Sequence, residues 1–137
     1  MTVVADTGPL YALVDASDAW HERVVEWWKQ NRRPIIVPVT VIPEVAYLLQ
    51  TRIGIDAEIE FVRSVADGEL TAESVEAGDF DRAVALMERY ADLMLGFVDA
   101  SVVAVAERLD ANEILTTDRR HFSVVRPQHT RSFALRP

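Results

Sequence analysis

The sequence predicts an α/β fold in which a central parallel sheet is covered on both faces by helices. Three short apolar runs have the length and composition of buried strands. Segments with the apolar spacing of helices alternate with them, as in βαβ units. One such segment, residues 97–109, is apolar on nearly every side of a helical wheel, which is typical of a helix packed between other layers.

Residues that favour turns bound the predicted strands. The first strand ends at Asp6, and the second lies between Pro34 and Pro38. The third follows a turn at Gly68 and the fourth follows a turn at Asn112. In chain order the predicted strands cover residues 3–5, 35–37, 70–72, 114–116 and 123–125. The remaining residues show little pattern and are predicted to form a basic tail over about 127–137.

The helices are predicted from capping residues and apolar spacing. Thr7, Asp18 and Thr40 are expected N-caps, because short polar side chains accept hydrogen bonds from the free N–H groups of a first helical turn. The predicted helices cover residues 9–14, 19–30, a segment that begins after Thr40, 56–66, 79–90, 97–109 and one turn at 119–122. Their apolar sides, expected to face inward, comprise Trp20, Val24, Trp27 and Trp28; Val41, Ile42, Val45, Leu48 and Leu49; Ile55, Ile59 and Val62; and Phe80, Val84 and Met87.

Length and composition predict a single cytoplasmic domain over residues 1–137. The chain is long enough for a real core, and without cysteine it has neither disulfides nor thiolate metal ligands. No apolar run reaches the roughly 18 residues of a membrane span, and the N-terminus does not resemble a signal peptide.

Charge is distributed unevenly along the chain. The net charge is −8, which argues against a protein that coats nucleic acid through bulk charge. The first 118 residues carry nine basic and 22 acidic side chains, a net charge of −13. The last 19 residues carry five arginines and no acid, a net charge of +5. Any attraction for phosphate is therefore expected near the C-terminal segment.

Four acids lie in or beside segments that are predicted to be buried. Asp6 and Asp118 each follow a predicted strand, whereas Glu44 and Asp99 lie in the first turns of predicted helices. Ligands of open parallel sheets bind beyond the carboxyl ends of the strands, where these acids are expected to meet. Four converging carboxylates cannot all stay ionised without cations, and hard oxygen ligands favour Mg²⁺ or Mn²⁺. Such a site suits metal-assisted phosphodiester hydrolysis.

Simpler explanations exist for each acid taken alone. Turn residues and first-turn acids are common, so any one of the four could serve only its local backbone. Other chemistries fit less well. Gly8 stands where a haloacid-dehalogenase-type phosphatase needs its second Asp, and no phosphate loop of the GxxxxGK type occurs. The histidines, at 21, 121 and 129, are too scattered to indicate a zinc site.

The segments around the four acids resemble the acidic quartet of PIN domains in order and spacing. They are VVADTGPLYALVD around Asp6, VTVIPEVAYLL around Glu44, GFVDASVVAVAERL around Asp99 and ILTTDRRHFSVVRP around Asp118. The resemblance covers essentially the whole chain and is strongest to the VapC toxins of bacterial toxin–antitoxin pairs. It implies a PIN-like three-layer α/β/α sandwich with a central, mainly parallel sheet of four to five strands.

The same resemblance implies an Mg²⁺- or Mn²⁺-dependent endoribonuclease that cleaves structured cellular RNA, tRNA or rRNA, and is neutralised by a small antitoxin. It makes the four acids the metal ligands and catalytic residues, and it puts Thr117 near the metal or the scissile phosphate. Gly96 stands where some relatives have a further acid, so a second metal would have fewer ligands. A PIN fold that binds RNA or protein without cleavage remains the alternative.

In addition to the metal, the chain is expected to bind RNA, an antitoxin and a second copy of itself. RNA should approach along Arg119, Arg120 and Arg126, next to Asp118, whereas arginines of outer helices such as Arg23 and Arg63 should not contribute. The antitoxin is expected to lay an amphipathic segment along an apolar groove that Trp27 or Trp28 reaches, and to extend a basic side chain towards the acids. A homodimer is also expected, because closed two-fold assemblies are the commonest.

Overall fold

The computed structural model describes residues 2–137, which form a five-stranded parallel sheet and seven α-helices. The strands are β1 (Val3–Ala5), β2 (Ile35–Pro38), β3 (Thr71–Glu73), β4 (Glu113–Leu115) and β5 (Ala134–Arg136). The helices are α1 (Thr7–Val14), α2 (His21–Gln30), α3 (Val41–Arg52), α4 (Ile55–Ala66), α5 (Ala77–Arg89), α6 (Phe97–Arg108) and α7 (Arg119–Phe122), with a 3₁₀ turn at Ala91–Leu93. The predicted α/β class and parallel sheet are confirmed.

The strand order is β3-β2-β1-β4-β5, and every neighbouring pair is parallel. The chain moves outward from β1 to β3 and then crosses back to β4 on the other side of β1. Because parallel crossovers are right-handed, this reversal puts α5 and α6 on the face opposite to α1–α4. The boundary between β1 and β4 is therefore the switch point, where sheets of this kind open a crevice beyond the strand ends.

The core lies between the sheet and the helices on its two faces. Val3, Val4 and Ala5 of β1 are fully buried, as expected for the middle strand of a parallel sheet. Helix α6 contacts β1 and β2, and its residues from Ala100 to Ala106 are all buried. The prediction of a helix apolar on every side is therefore confirmed. None of the helices formed by residues 2–137 has the length and apolar character needed to cross a membrane.

The last strand was predicted in the wrong place. Residues 123–125 form the turn that ends α7, where the N–H groups of Val124 and Val125 both donate to the His121 carbonyl. The sheet edge beside β4 is taken instead by Ala134–Arg136, and the Arg136 carbonyl accepts from the Thr116 N–H at 2.8 Å. The end of the predicted basic tail is thus a strand.

Two predicted apolar sides face solvent rather than the core. Ile55, Ile59 and Val62 of α4 are each about half exposed, and Phe61 is the buried residue of that helix. In α5, Phe80 and Val84 are also about half exposed. Ala83 and Leu86 are buried instead, because a small alanine lets α5 approach α6 closely.

The predicted caps are partly corrected. Helix α1 begins at Thr7 with Asp6 in the N-cap position, and the Thr7 hydroxyl donates to Glu44 Oε1 at 2.5 Å instead of capping. Thr40 occupies the N-cap position of α3, but its hydroxyl is hydrogen-bonded to Ser101 Oγ of α6 at 2.6 Å. Both hydroxyls therefore join elements that border the crevice.

Candidate metal centre

Two acids of the crevice follow neighbouring strands. Asp6 comes directly after β1, and Asp118 follows β4 by three residues. In the paired register Ala5 lies beside Leu115, so the two chain segments leave the sheet side by side. Asp6 is almost fully buried, while about a third of the Asp118 side chain is exposed. The predicted meeting of these acids at one sheet edge is what the structure shows.

The other two acids come from first helical turns. Glu44 lies in the first turn of α3 and is exposed, and its carboxylate accepts from the Thr7 hydroxyl. Asp99 lies in the first turn of α6, with about a fifth of its side chain exposed. The positive ends of the two helix dipoles partly offset these charges.

The charges of Glu44 and Asp118 act on both Asp6 and Asp99. Burial raises the pKa of Asp6 to about 6, and the charges of Asp118 and Glu44 add to the rise. Burial also raises the pKa of Asp99 to about 7, with further contributions from Asp6, Asp118 and Glu44. Without a cation the site therefore holds protons near neutral pH.

His121 is a site residue that the sequence prediction missed. Its Nδ1 lies 2.5 Å from Asp118 Oδ2 and 3.3 Å from Asp99 Oδ2, and its Nε2 lies 3.0 Å from the Leu93 carbonyl oxygen. Burial alone would lower the pKa of His121, but hydrogen bonds to Asp118 and Leu93 and the charges of both acids raise it. Its position three residues after Asp118, on one helical turn, was the available signal.

Thr116 is a second residue that was missed. Its buried hydroxyl donates to Asp6 Oδ2 at 3.0 Å and accepts from the Asp118 N–H at 2.9 Å, so it fixes both acids. Thr117, whose hydroxyl was predicted to lie near the metal or the scissile phosphate, packs against Gly8. A Cβ added to Gly8 would come within 2.1 Å of Thr117 Oγ1, so glycine is required there.

These residues have the donor set that a divalent cation needs. Asp99, Asp118 and His121 each offer one ligand atom, and these atoms lie within 4.8 Å of one another. Within residues 2–137 no Lys or Arg is paired with any of the four acids, and His121 is their one ion-pair partner. A cluster of carboxylates that includes two raised pKa values, those of Asp6 and Asp99, and has no Lys or Arg partner fits Mg²⁺ or Mn²⁺.

Arginines border the crevice on the side of α7. Arg119 and Arg120 begin that helix and are exposed, and Arg119 Nη2 donates to the Pro137 carbonyl oxygen at 2.7 Å. Arg126 is also exposed and donates to the Ser123 carbonyl oxygen. Arg23, which the sequence put on an outer helix apart from this segment, lies over the Trp20 ring that Arg119 also approaches.

An apolar groove of about 490 Å³ lies between α1, α2 and α4. Trp28, Leu10, Leu13 and Phe61 line it. Trp27 packs edge-on against Trp28 with ring centroids 6.3 Å apart but does not line this groove. Trp28 therefore reaches this groove, whereas Trp27 lines a separate pocket of about 360 Å³ with Gln30, Asn31, Arg32 and Arg33.

Comparisons with known proteins agree with this architecture. The sequence pattern of the PIN domain matches residues 3–126. Ribonuclease VapC26 of Mycobacterium tuberculosis is 35% identical over 125 residues, which are 91% of this chain and 93% of that protein. The crystal structure of Mycobacterium tuberculosis VapC20, described as a sarcin-ricin loop cleaving toxin, superposes with a TM-score of 0.84 at 23% identity, covering 94% of this chain and 98% of that one.

A more distant structural match is VapBC2 from Rickettsia felis, bound to a DNA fragment from its promoter. That match has a TM-score of 0.67 at 15% identity and covers 98% of this chain and 97% of the other. At this identity it supports the fold alone.

Proposed function

Because the chain belongs to the PIN-domain family, among the VapC ribonucleases, we propose that it is a metal-dependent endoribonuclease toxin of a toxin–antitoxin pair. The proposed substrate is structured cellular RNA, of the tRNA or rRNA class. The observation that carries the proposal is the crevice at the β1–β4 boundary. Four carboxylates are coupled there, and among residues 2–137 only His121 pairs with them.

In this proposal Asp6, Glu44, Asp99 and Asp118 hold Mg²⁺ or Mn²⁺. The bound ion supplies polarisation of a phosphoryl oxygen and a water of lowered pKa. The protein supplies the positioning: Thr116 holds Asp6 and the backbone of Asp118, and His121 holds the Asp118 side chain. Such positioning must be accurate to about half an ångström for catalysis.

Thr117 is proposed to act beside the metal rather than on it. Its hydroxyl lies against Gly8 at the start of α1, next to Thr7. A hydroxyl there can donate to a phosphate oxygen of the scissile nucleotide, since hydroxyls commonly bind RNA phosphates. Thr117→Val, which keeps the shape and removes the donor, should slow cleavage while leaving metal affinity unchanged.

The direct test is cleavage of RNA by purified protein with added Mn²⁺. Asp99→Asn keeps the side-chain shape but removes one of the charges that hold the metal, so cleavage should fall by orders of magnitude while the fold survives. Asp110→Asn, an exposed acid at the other end of α6, is the matched control and should cleave like the wild type. Equal cleavage by all three proteins would remove Asp99 from the site, and RNA binding without cleavage would favour the inactive binding module.

RNA is proposed to enter along Arg119, Arg120 and Arg126. None of the three is paired with an acidic side chain in residues 2–137, so their guanidinium groups can contact phosphates. Their position after Asp118 supports a route that leads to the metal. The strongly acidic remainder of the chain would repel RNA elsewhere.

The antitoxin is proposed to dock in the groove between α1, α2 and α4. The groove walls are apolar, whereas Asp56, Glu60 and Glu69 stand around it. An amphipathic segment with basic flanks matches both features. Trp28→Ala should therefore weaken antitoxin binding by more than tenfold, because buried aromatic side chains dominate interfaces.

Trp27→Ala is the matched control for that measurement, because Trp27 neighbours Trp28 outside the groove. In titration calorimetry with the purified antitoxin, Trp27→Ala should lose much less affinity than Trp28→Ala. Equal affinities of both variants and the wild type would remove the tryptophans and the groove from the antitoxin site.

A homodimer is proposed through exposed apolar side chains on α5 and the start of α6. Phe80 and Phe97 stack with ring centroids 5.8 Å apart, and both rings are exposed along with Val84 and Met94. A second copy of the chain would cover this surface. Light scattering should give a dimer for the wild type and a monomer for Phe80→Ser, while Ile59→Ser on α4 should leave the dimer intact. A monomeric wild type at high concentration would contradict the dimer.

A further inference from the structure

The side chains of Arg23, Trp20 and Arg119 form a cluster that neither the sequence pattern nor the acid site accounts for. Arg23 Cζ lies 4.8 Å from the centroid of the Trp20 ring, and Arg119 Cζ lies 5.7 Å from the same centroid. Trp20 is only half-buried, and its backbone N–H is held by Asp18 Oδ1 at 2.8 Å. One indole at the start of α2 thus joins an arginine of α2 to the arginine that follows Asp118.

This arrangement brings two positively charged side chains to one aromatic ring. Within residues 2–137 neither Arg23 nor Arg119 is paired with an Asp or Glu side chain. Four other basic residues before position 119 also lack such a partner, but Arg23 is the one that shares an aromatic ring with an arginine of the C-terminal segment among residues 2–137. Two guanidinium groups that contact the same ring favour an anion beside them.

A guanidinium that lies over an indole keeps its edge donors free. Cation–π contact holds the planar group by its face, and the N–H fork at its edge remains able to bind a phosphate with two hydrogen bonds. The Arg119 group has used one donor on the Pro137 carbonyl oxygen, which further restricts its orientation. The cluster is therefore ordered before a ligand arrives, and less side-chain entropy is lost on binding.

We propose that Trp20, Arg23 and Arg119 form a phosphate clamp that extends the RNA-binding surface from the metal centre across the start of α2. The ligand is the phosphodiester backbone of RNA beside the bond that is cut. RNA is favoured over an acidic peptide because Arg119 directly follows Asp118, so a chain held by the clamp continues into the crevice. The clamp rests on the proposed ribonuclease function.

The test measures RNA binding without cleavage. All variants are made on the Asp99→Asn background, and binding of a fluorescein-labelled oligouridylate is followed by fluorescence anisotropy over a series of salt concentrations. Arg23→Ala should reduce the slope of log affinity against log salt by about 0.7, the value for one phosphate contact of a single strand. Trp20→Ala, which keeps both charges, should weaken binding severalfold, and Trp20→Phe should restore most of the loss because a ring remains.

Arg52→Ala is the matched control. Arg52 lies over the Tyr11 ring at 5.3 Å and also lacks an acidic partner in residues 2–137, but it stands at the far end of α3 from Glu44. Its affinity and salt slope should equal those of the background protein. If Arg23→Ala has the same affinity and salt slope as Arg52→Ala, the proposed clamp is wrong. If the wild type cleaves RNA with Mn²⁺ in that case, the proposed function stands and only the clamp fails; absence of both binding and cleavage would overturn both.

Discussion

Buried and half-buried acids occur in this protein in two contrasting settings. Beside α5 and α6, Glu107 accepts three hydrogen bonds from Arg82, and Asp79 accepts from Arg108. In the crevice, Asp6 and Asp99 have no arginine or lysine partner within residues 2–137. Arginine side chains of the protein neutralise the acids of the first group, whereas a bound cation would be needed to neutralise those of the second. Burial of an acid therefore does not identify a functional site; burial without a permanent counter-ion does.

The largest expected effect is an opposite change in stability when one charge is removed from each setting. In EDTA at pH 8, Glu107→Gln should lower the free energy of unfolding by about 2–3 kcal/mol, because Arg82 loses its charged partner. Asp6→Asn should raise it by roughly 1–2 kcal/mol, because one pKa unit corresponds to about 1.4 kcal/mol and the pKa of Asp6 is well above its ordinary value. Urea denaturation measures both. If Glu107→Gln and Asp6→Asn both lower the free energy of unfolding, the two settings do not differ in this way.

A divalent cation should affect the two settings differently as well. Mn²⁺ that binds only the folded state at a hundred times its dissociation constant adds about 2.7 kcal/mol to the free energy of unfolding. The melting temperature of the wild type and of Glu107→Gln should therefore rise with millimolar Mn²⁺, and that of Asp6→Asn should rise much less. Differential scanning fluorimetry provides the measurement. Equal shifts in Asp6→Asn and the wild type would mean that Asp6 is only a turn residue.

A smaller effect concerns pH. The raised pKa values of Asp6, Asp99 and His121 mean that the folded protein binds more protons than the unfolded chain between about pH 4 and 7. Stability of the metal-free protein should consequently fall as pH rises through this window. Asp99→Asn should remove roughly 1 kcal/mol of the difference between pH 6 and pH 8, since Asp99 titrates there. A pH dependence that this substitution leaves unchanged would contradict the coupling of the four acids.

The sequence was sufficient for four of the five strands and for the positions of the four acids along the chain, because both depend on local signals. Apolar runs bounded by turn residues mark β1, β2 and β4, and parallel strands bring their carboxyl ends to one edge. The two acids after β1 and β4 were therefore predicted to meet, as the structure shows. The resemblance to PIN domains then assigned the two helical acids to the same place, and the coupled pKa values agree with that assignment.

Long-range partners could not be predicted in the same way. Strand β5 has only three residues and no apolar alternation; it forms because β4 offers a free edge. The solvent-facing sides of α4 and α5 have the same apolar spacing as buried ones, so periodicity does not distinguish a core face from a partner surface. His121 and Thr116 act through contacts with acids that only the folded chain brings near.

The position of a bound metal tests most directly whether the four acids form the metal centre. Crystals grown with Mn²⁺ and measured at the manganese absorption edge give an anomalous peak wherever the ion is ordered. We expect a peak in the crevice, from an ion bound by carboxylate oxygens of Asp6, Glu44, Asp99 and Asp118, and we expect Asp99→Asn to lose that peak. The metal centre would be contradicted if the protein cleaves RNA with Mn²⁺ but binds the ion elsewhere, or if Asp99→Asn keeps the peak.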